Sequence, residues 1–384
     1  MKALYLQPEQ LDLTEFATLC EQSPVLSDYP LAAGIERGVL VYRAQTLNTA
    51  VHRDRIEVLT ELHRALAQGP GVLVIKGGYA DKAVIERNTA VFECIFAEEA
   101  QAGAAADHFA QAGDNGRIWN SLQKVAERDA AAFIDYYGNS LLALVCEAWL
   151  GPWYQLTAQV NVVRPGGKAQ QPHRDYHLGF QPVADVSRFP LPVQLLSQYL
   201  TLQGAVAHSD MPLASGPTLL LPFSQQYDGG YLAWRRSDFI EYFERHAVQL
   251  PLEQGDMLFF SPALFHAAGS NSTEDVVRTA NLLQVSSAFG KPMESLSRER
   301  ILRHIYPELL ARHRQGRLAE SELSALIAAA ADGYSFPTNL DRDPPLGGLA
   351  PRTQQQLLRQ ALEENWTEAD FLRQLNLGKE NRLA

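Results

Sequence analysis

The stretch YQLTAQVNVVRPGGKAQQPHRDYH, residues 154–177, opens with an apolar, β-branched run, breaks at Pro165-Gly166-Gly167 and resumes as a polar segment over 171–180. That is the texture of a strand, a turn and another strand. It continues to about Phe289. VQLLSQYLTLQGAV (193–206) reads as a strand. The turn Ser215-Gly216-Pro217, the run TLLLPF (218–223) and an aromatic, helix-like insert over 231–245 follow. VQLPL (248–252), the turn EQGD (253–256), MLFF (257–260) and VVRTANLLQVSSAF (276–289) complete the series. Many short strands at such spacing predict a double-sheet sandwich or jelly roll.

On either side the periodicity becomes helical. Residues 1–65 read mostly as helix, with Ile56, Leu59, Leu62 and Leu66 on one face. Gly71-Val72-Leu73-Val74-Ile75 reads as a buried strand ended by Gly77-Gly78, and Asp81 as the cap of a helix running to about Ala100. Residues 101–117 are Ala/Gly-rich and read as a loop; 126–150 form an apolar helical face closed by Gly151-Pro152. Residues 291–331 return to helix, and 335–351 form a Pro/Gly-rich connector. Thr353-x-x-Gln356 and Thr367-x-x-Asp370 read as helix caps. The expected class is α+β with a mainly β core. A double-stranded β-helix (jelly roll, cupin-like) over 154–290 is flanked by an N-terminal helical region with one or more strands (1–153) and a C-terminal helical extension (291–384), together one integrated domain.

The 384 residues carry a formal charge of −11 with no basic run, which argues against nucleic acid and anionic membranes as partners. No run of 18 apolar residues predicts a membrane span. The first residues, MKALYLQPEQLDLTEFATLCEQ, place polar and acidic side chains where a signal peptide needs an apolar core. Cys20, Cys94 and Cys146 are odd in number and far apart, so neither a disulfide framework nor a thiolate metal site is expected, and the expected compartment is the cytoplasm. Any metal must then be held by histidine and carboxylate.

His173-Arg174-Asp175 offers that chemistry. In a strand, residues two apart share a face about 6–7 Å apart, so His173 and Asp175 can reach one ion. The tripeptide alone is weak, and a polar surface strand is its bland reading. His266 follows the MLFF strand, and Arg278 interrupts an apolar strand, where a guanidinium is costly unless it meets an anion. Two histidines and a carboxylate with open positions form the facial arrangement of non-haem Fe(II) oxygenases, and a nearby guanidinium would grip a carboxylate by two parallel hydrogen bonds. The alternatives are a satisfied core histidine at 266 and a structural ion pair of Arg278 with Asp256 or Glu274.

At these residues the chain resembles the phytanoyl-CoA dioxygenase family of Fe(II)/2-oxoglutarate-dependent oxygenases. The resemblance covers approximately residues 70–290 and is carried by VVRPGGKAQQPHRDYH, SGPTLLLPFSQQ, GDMLFF and HAAGSNSTEDVVR. It implies iron ligation by His173, Asp175 and His266 and a grip on the distal carboxylate of 2-oxoglutarate by Arg278. Pro222-Phe223-Ser224-Gln225 stands where members often carry Pro-Gly-Ser-His, a departure that bears on pocket shape. Gln159 and Asn161, which share a strand face with Thr157, are cosubstrate candidates, as are Thr218 and Ser270. His177, Trp119, Tyr231 and Trp234 are substrate candidates, with Asn120 beside them; core packing or a polar surface are the competing roles.

The function so implied is a dioxygenase that takes Fe(II) as cofactor and 2-oxoglutarate and O2 as cosubstrates. It would oxidise, by default hydroxylate, an unactivated C–H of a small-molecule metabolite, releasing succinate and CO2. Asp175 fills the place that related halogenases leave open for halide. Desaturation, cyclisation and C–C cleavage use the same ligands. A non-catalytic metal-binding jelly roll, or a cupin-type hydrolase or isomerase that needs no cosubstrate, are the alternatives of other classes. Acidic composition makes a coenzyme-A ester less attractive as substrate than a small polar or amphipathic metabolite. The C-terminal extension could cover the open end of the jelly roll or form a homodimer contact.

Overall fold

The computed structural model describes residues 3–101, 115–345 and 347–383. Among these described residues, ten strands are arranged in two sheets: β1 (Gly34–Glu36), β2 (Val39–Arg43), β3 (Val72–Lys76), β4 (Asn115–Ile118), β5 (Gln155–Val163), β6 (Thr201–Ala207), β7 (Leu219–Leu220), β8 (Met257–Phe260), β9 (His266–Ala267) and β10 (Arg278–Ser286). The larger sheet has the order β1-β2-β3-β8-β6-β10-β5-β4. All its pairings are antiparallel except β2 with β3. The smaller sheet is β7 with β9, extended by single bridges from His173 to His266 and from Leu220 to Val248. Two unequal sheets facing each other make the expected double-stranded β-helix.

The larger sheet is largely buried on both faces, which is why apolar residues dominate its strands. Leu73, Ile75, Leu156, Val160, Leu202, Val206, Phe259, Leu283 and Val285 point outward into a core shared with helices from both ends of the chain. The alternate residues Val72, Val74, Ala205, Leu258, Phe260 and Ala280 point inward. Helices Arg55–Ala67, Ala130–Tyr137 and Ser140–Leu150 join Arg298–Arg314, Glu320–Ala330 and Gln354–Glu363 on the outer face. A third cluster packs the N-terminal helix Leu13–Cys20 on the aromatic insert, with Phe16 among Tyr227, Phe239, Tyr242 and Phe265. Thr353 and Thr367 cap their helices as expected. Asp81 caps the helix Lys82–Gln101. The three cysteines are unpaired. No helix among the described residues is long and apolar enough to cross a membrane.

Several local expectations are corrected. The N-terminal region contains β1 and β2, joined by the turn Arg37-Gly38, both at positive φ (52° and 82°). The first half of 193–206 is helix Leu191–Gln198, begun by Pro190 and Pro192, and only β6 is strand. The helical stretch 126–150 is split at Asp129 and Asn139, each capping the helix after it. The Ala/Gly-rich loop reading of 101–117 lies largely outside the described residues, but 115–118 form β4. The polar strand at 171–180 is replaced by one bridge at His173 and a 3-10 turn, His177–Phe180.

Candidate metal centre

His173 and His266 are held by a reciprocal backbone pair: each N–H donates to the other's carbonyl, at 3.0 and 3.2 Å. The N–H of Asp175 donates to the carbonyl of Pro262 at 3.1 Å. These bonds fold the irregular chain after the Gly166-Gly167 turn onto β9. The result is a cluster in which one donor atom from each of His173, Asp175 and His266 lies within 4.8 Å of the others. His173 Nε2 stands 3.5 Å from Asp175 Oδ1, and His266 Nε2 stands 3.4 Å from Oδ2.

The other ring nitrogens fix the tautomers. His173 Nδ1 is 2.8 Å from the Gln171 carbonyl and His266 Nδ1 is 2.8 Å from that of Leu264. A carbonyl only accepts, so each Nδ1 carries hydrogen, which leaves each Nε2, beside Asp175, as the nitrogen that can coordinate a cation. Burial opposes ionisation of Asp175, but His173 and His266 outweigh it and hold the carboxyl well below its usual range. Burial lowers the pKa of His266, whereas for His173 Asp175 more than offsets burial and raises it. An anionic oxygen and two imidazole lone pairs on one side of a cavity suit a divalent first-row cation and leave room for exchangeable ligands.

The cavity is about 580 Å³, and His173, Asp175 and His266 line it together with Arg278. Arg278 is the first residue of β10 and is buried; its Nη1 donates to the Gly216 carbonyl and its Nη2 to Asn161 Oδ1 at 3.3 Å. Burial pulls its pKa down to about 10, so it remains a cation at neutral pH. Asp256 instead pairs with Lys76 at 2.8 Å, and no carboxylate among the described residues pairs with Arg278. A buried guanidinium facing a cavity with only neutral partners has the chemistry to receive an anion.

The remaining sequence candidates separate cleanly. Gln159, Asn161, Thr218, Trp119 and Trp234 line the cavity. Ser270 does not; its Oγ accepts the Ala169 N–H at 2.8 Å and braces the loop before His173. Strand alternation fails for His177, because the backbone turns at Tyr176 and His177 (φ 62° and 38°) and its Nδ1 meets Ser197 Oγ at 3.1 Å. Tyr231 is core, with the Arg174 guanidinium 5.3 Å from its ring centroid.

Other contributors were not singled out from the sequence. Arg117 donates to Gln159 Oε1 at 2.7 Å. Gln203 and Gln284, from β6 and β10, lie on the cavity wall, and Gln203 Nε2 donates to Asp175 Oδ2. Arg174 turns away from the two residues beside it and donates to the carbonyls of Ser224 and Tyr227 at 2.7 and 3.0 Å. The signal was available at Gln203, a lone amide in an apolar strand, the same pattern that drew attention to Arg278. Phe223 sits at φ 67°, a conformation that favours glycine, and glycine is what the family often carries there.

A double-stranded β-helix with two histidines and a carboxylate at its mouth and a buried arginine on an inner strand defines a non-haem metal oxygenase. The chain belongs to the phytanoyl-CoA dioxygenase (PhyH) family, which it matches over residues 67–280, more than half its length. It is a 2-oxoglutarate-dependent dioxygenase with Fe(II) as cofactor. Among curated relatives, the dioxygenase cdmD of Talaromyces verruculosus is 24% identical over 266 residues, covering 65% of this chain and 82% of the relative. The dioxygenase aneA of Aspergillus aculeatus is 28% identical over 168 residues, 43% of this chain and 47% of the relative. The chain is also similar to the solved structure of the non-haem α-ketoglutarate-dependent epimerase SnoN from nogalamycin biosynthesis. That match has 17% identity and a TM-score of 0.40, over 61% of this chain and 84% of that one. AviO1 from Streptomyces viridochromogenes has 18% identity and a TM-score of 0.39, over 55% and 87%.

Proposed function

We propose that His173, Asp175 and His266 hold Fe(II), that Arg278 with Asn161 and Thr218 holds the distal carboxylate of 2-oxoglutarate, and that the enzyme hydroxylates an unactivated C–H of a small-molecule metabolite. The observation that carries this reading is the placement of the three donors and the buried Arg278 guanidinium on one cavity. The bound iron, with 2-oxoglutarate and O2, supplies the oxidising power: one oxygen atom leaves in succinate, CO2 is released, and the other is inserted into the substrate C–H.

The protein's own residues bind, orient and exclude water. The Nδ1–H bonds to the Gln171 and Leu264 carbonyls aim both imidazoles. Arg278 fixes the cosubstrate's far end by charge, and Asn161 orients that guanidinium. Phe260, whose ring lies 4.7 Å from that of His266, and Trp234, 6.5 Å from that of His173, keep the ligand set dry on two sides. The segments 1–153, 154–290 and 291–384 are read as one catalytic unit.

The test is succinate formation coupled to O2 uptake in a screen of candidate metabolites under 18O2. Hydroxylation predicts succinate together with a product carrying one 18O atom. A product two mass units lighter than substrate would indicate desaturation or ring closure, and no succinate from any mixture would reject the oxygenase assignment of this site.

A further inference from the structure

Gln203 stands in β6, a strand otherwise made of Thr, Leu, Gly, Ala and Val, and it is 5% exposed. Its register partner on β10 is Gln284, also buried, and both amides line the cavity. Asp175 Oδ2 can only accept, so the amide is oriented with Nε2 toward Asp175. Nε2 also lies 3.5 Å from Gln284 Oε1. The carbonyl end is thereby turned elsewhere: Gln203 Oε1 is buried and has no hydrogen-bond partner among the described residues. A buried acceptor left unmade costs about 1–3 kcal/mol, so it is expected to have a partner in the working state.

The position of that partner is restricted. Gln284 lies six residues along β10 from Arg278, about 20 Å of strand. Gln203 therefore approaches Asp175 from the end of the sheet away from the guanidinium proposed to hold 2-oxoglutarate. Among the side chains that line the same cavity are the large apolar ones of Trp119, Phe180, Trp234 and Met293. A molecule that fits has an apolar body for these side chains and at least one donor for the amide carbonyl.

We propose that Gln203 is a two-sided specificity residue: its Nε2 positions Asp175, and its Oε1 accepts a hydrogen bond from a hydroxyl or N–H of the substrate. The substrate class is then a molecule with an apolar part and a hydrogen-bond donor close to the carbon that is oxidised, and not a plain hydrocarbon chain. This rests on Asp175 being a metal ligand.

The experiment uses the full chain, anaerobic, with Fe(II) and 2-oxoglutarate bound, and follows tryptophan fluorescence on titration with rigid alicyclic alcohols and their deoxy parents, borneol and bornane among them. Wild type is expected to bind the alcohols about ten-fold more tightly than the parents, the effect of one net hydrogen bond to a buried acceptor. In Gln203→Leu that ratio is expected to fall to about one, and Gln203→Asn, which keeps the amide on a shorter stem, should restore part of it. A ratio near one in wild type, or a ratio unchanged in Gln203→Leu, overturns the proposal. The visible Fe(II)–2-oxoglutarate absorption of the wild-type protein is recorded in the same samples. Its absence points to failure of the metal-site reading; its presence with no alcohol preference points to failure of the role of Gln203 alone.

Discussion

His173 and His266 lie directly opposite each other and exchange both backbone hydrogen bonds, at 3.0 and 3.2 Å. The pair that presents two imidazoles is therefore made by main chain, not by the side chains it presents. Replacing either ring leaves the bridge in place. His173→Ala and His266→Ala are expected to fold, with melting temperatures within a few degrees of wild type in the absence of metal, and to lose Fe(II) stoichiometry. Metal analysis after anaerobic loading and gel filtration checks this; full retention of iron by both variants would remove them from the ligand set.

Arg278 is the only cation among those lining the cavity that sits on β10, and its partners are the neutral Gly216 carbonyl and Asn161. Charge-assisted hydrogen bonds contribute about 1.5–3 kcal/mol each. Arg278→Leu should therefore weaken 2-oxoglutarate about 10–100-fold while leaving Fe(II) affinity nearly unchanged, and Arg278→Lys should recover part of the loss. Titration of 2-oxoglutarate into the iron-loaded variants gives the answer, and an unchanged affinity would make Arg278 structural.

Glu294 is buried beside the cavity wall, and its Oε1 accepts the Asn120 N–H at 2.7 Å, capping a helix whose own N-cap side chain makes no cap. Burial pushes its carboxyl from 4.5 up to about 7, more than that hydrogen bond pulls it down. A carboxyl raised in the folded state stabilises fully below its unfolded pKa and loses that contribution as pH rises through about 7. Glu294→Gln keeps the acceptor without the charge. Its stability relative to wild type should increase between pH 4.5 and 8 by up to about 3 kcal/mol. Denaturation midpoints at pH 5 and pH 8 measure this, and a pH-independent difference would contradict it.

Arg174 is enclosed so closely that a Cβ on Gly230 would fall 1.8 Å from its Cζ. Gly230→Ala is expected to destabilise the protein by about 2–3 kcal/mol through overpacking. Because Arg174 lies between two of the proposed ligands, the same variant should bind Fe(II) more weakly. Urea unfolding and iron titration check the two effects separately.

The sequence made the jelly roll legible because β5, β8 and β10 each carry an apolar outward face and end in recognisable turns. It made the site legible because His173, Asp175, His266 and Arg278 are residue types that such strands do not otherwise carry. Elsewhere it misled for physical reasons. The expectation that His173 and Asp175 share a strand face assumed an extended chain, but 171–180 is irregular and is held by bridges to His266 and Pro262 that no local pattern encodes. Leu191–Gln198 has apolar residues that fit either period, and only Pro190 and Pro192 tell helix from strand. Gln203 and Gln284 become neighbours only through the β6–β10 register, which joins residues about eighty positions apart.

Anaerobic visible absorption on adding Fe(II) and then 2-oxoglutarate to the purified protein tests the iron site most directly. The expected result is a charge-transfer band that saturates at one equivalent of each, is absent in His173→Ala, and in Arg278→Leu appears only at about 10–100-fold higher 2-oxoglutarate. A protein that gives no band, or whose band persists undiminished in His173→Ala, would contradict the assignment of this cluster as the iron site.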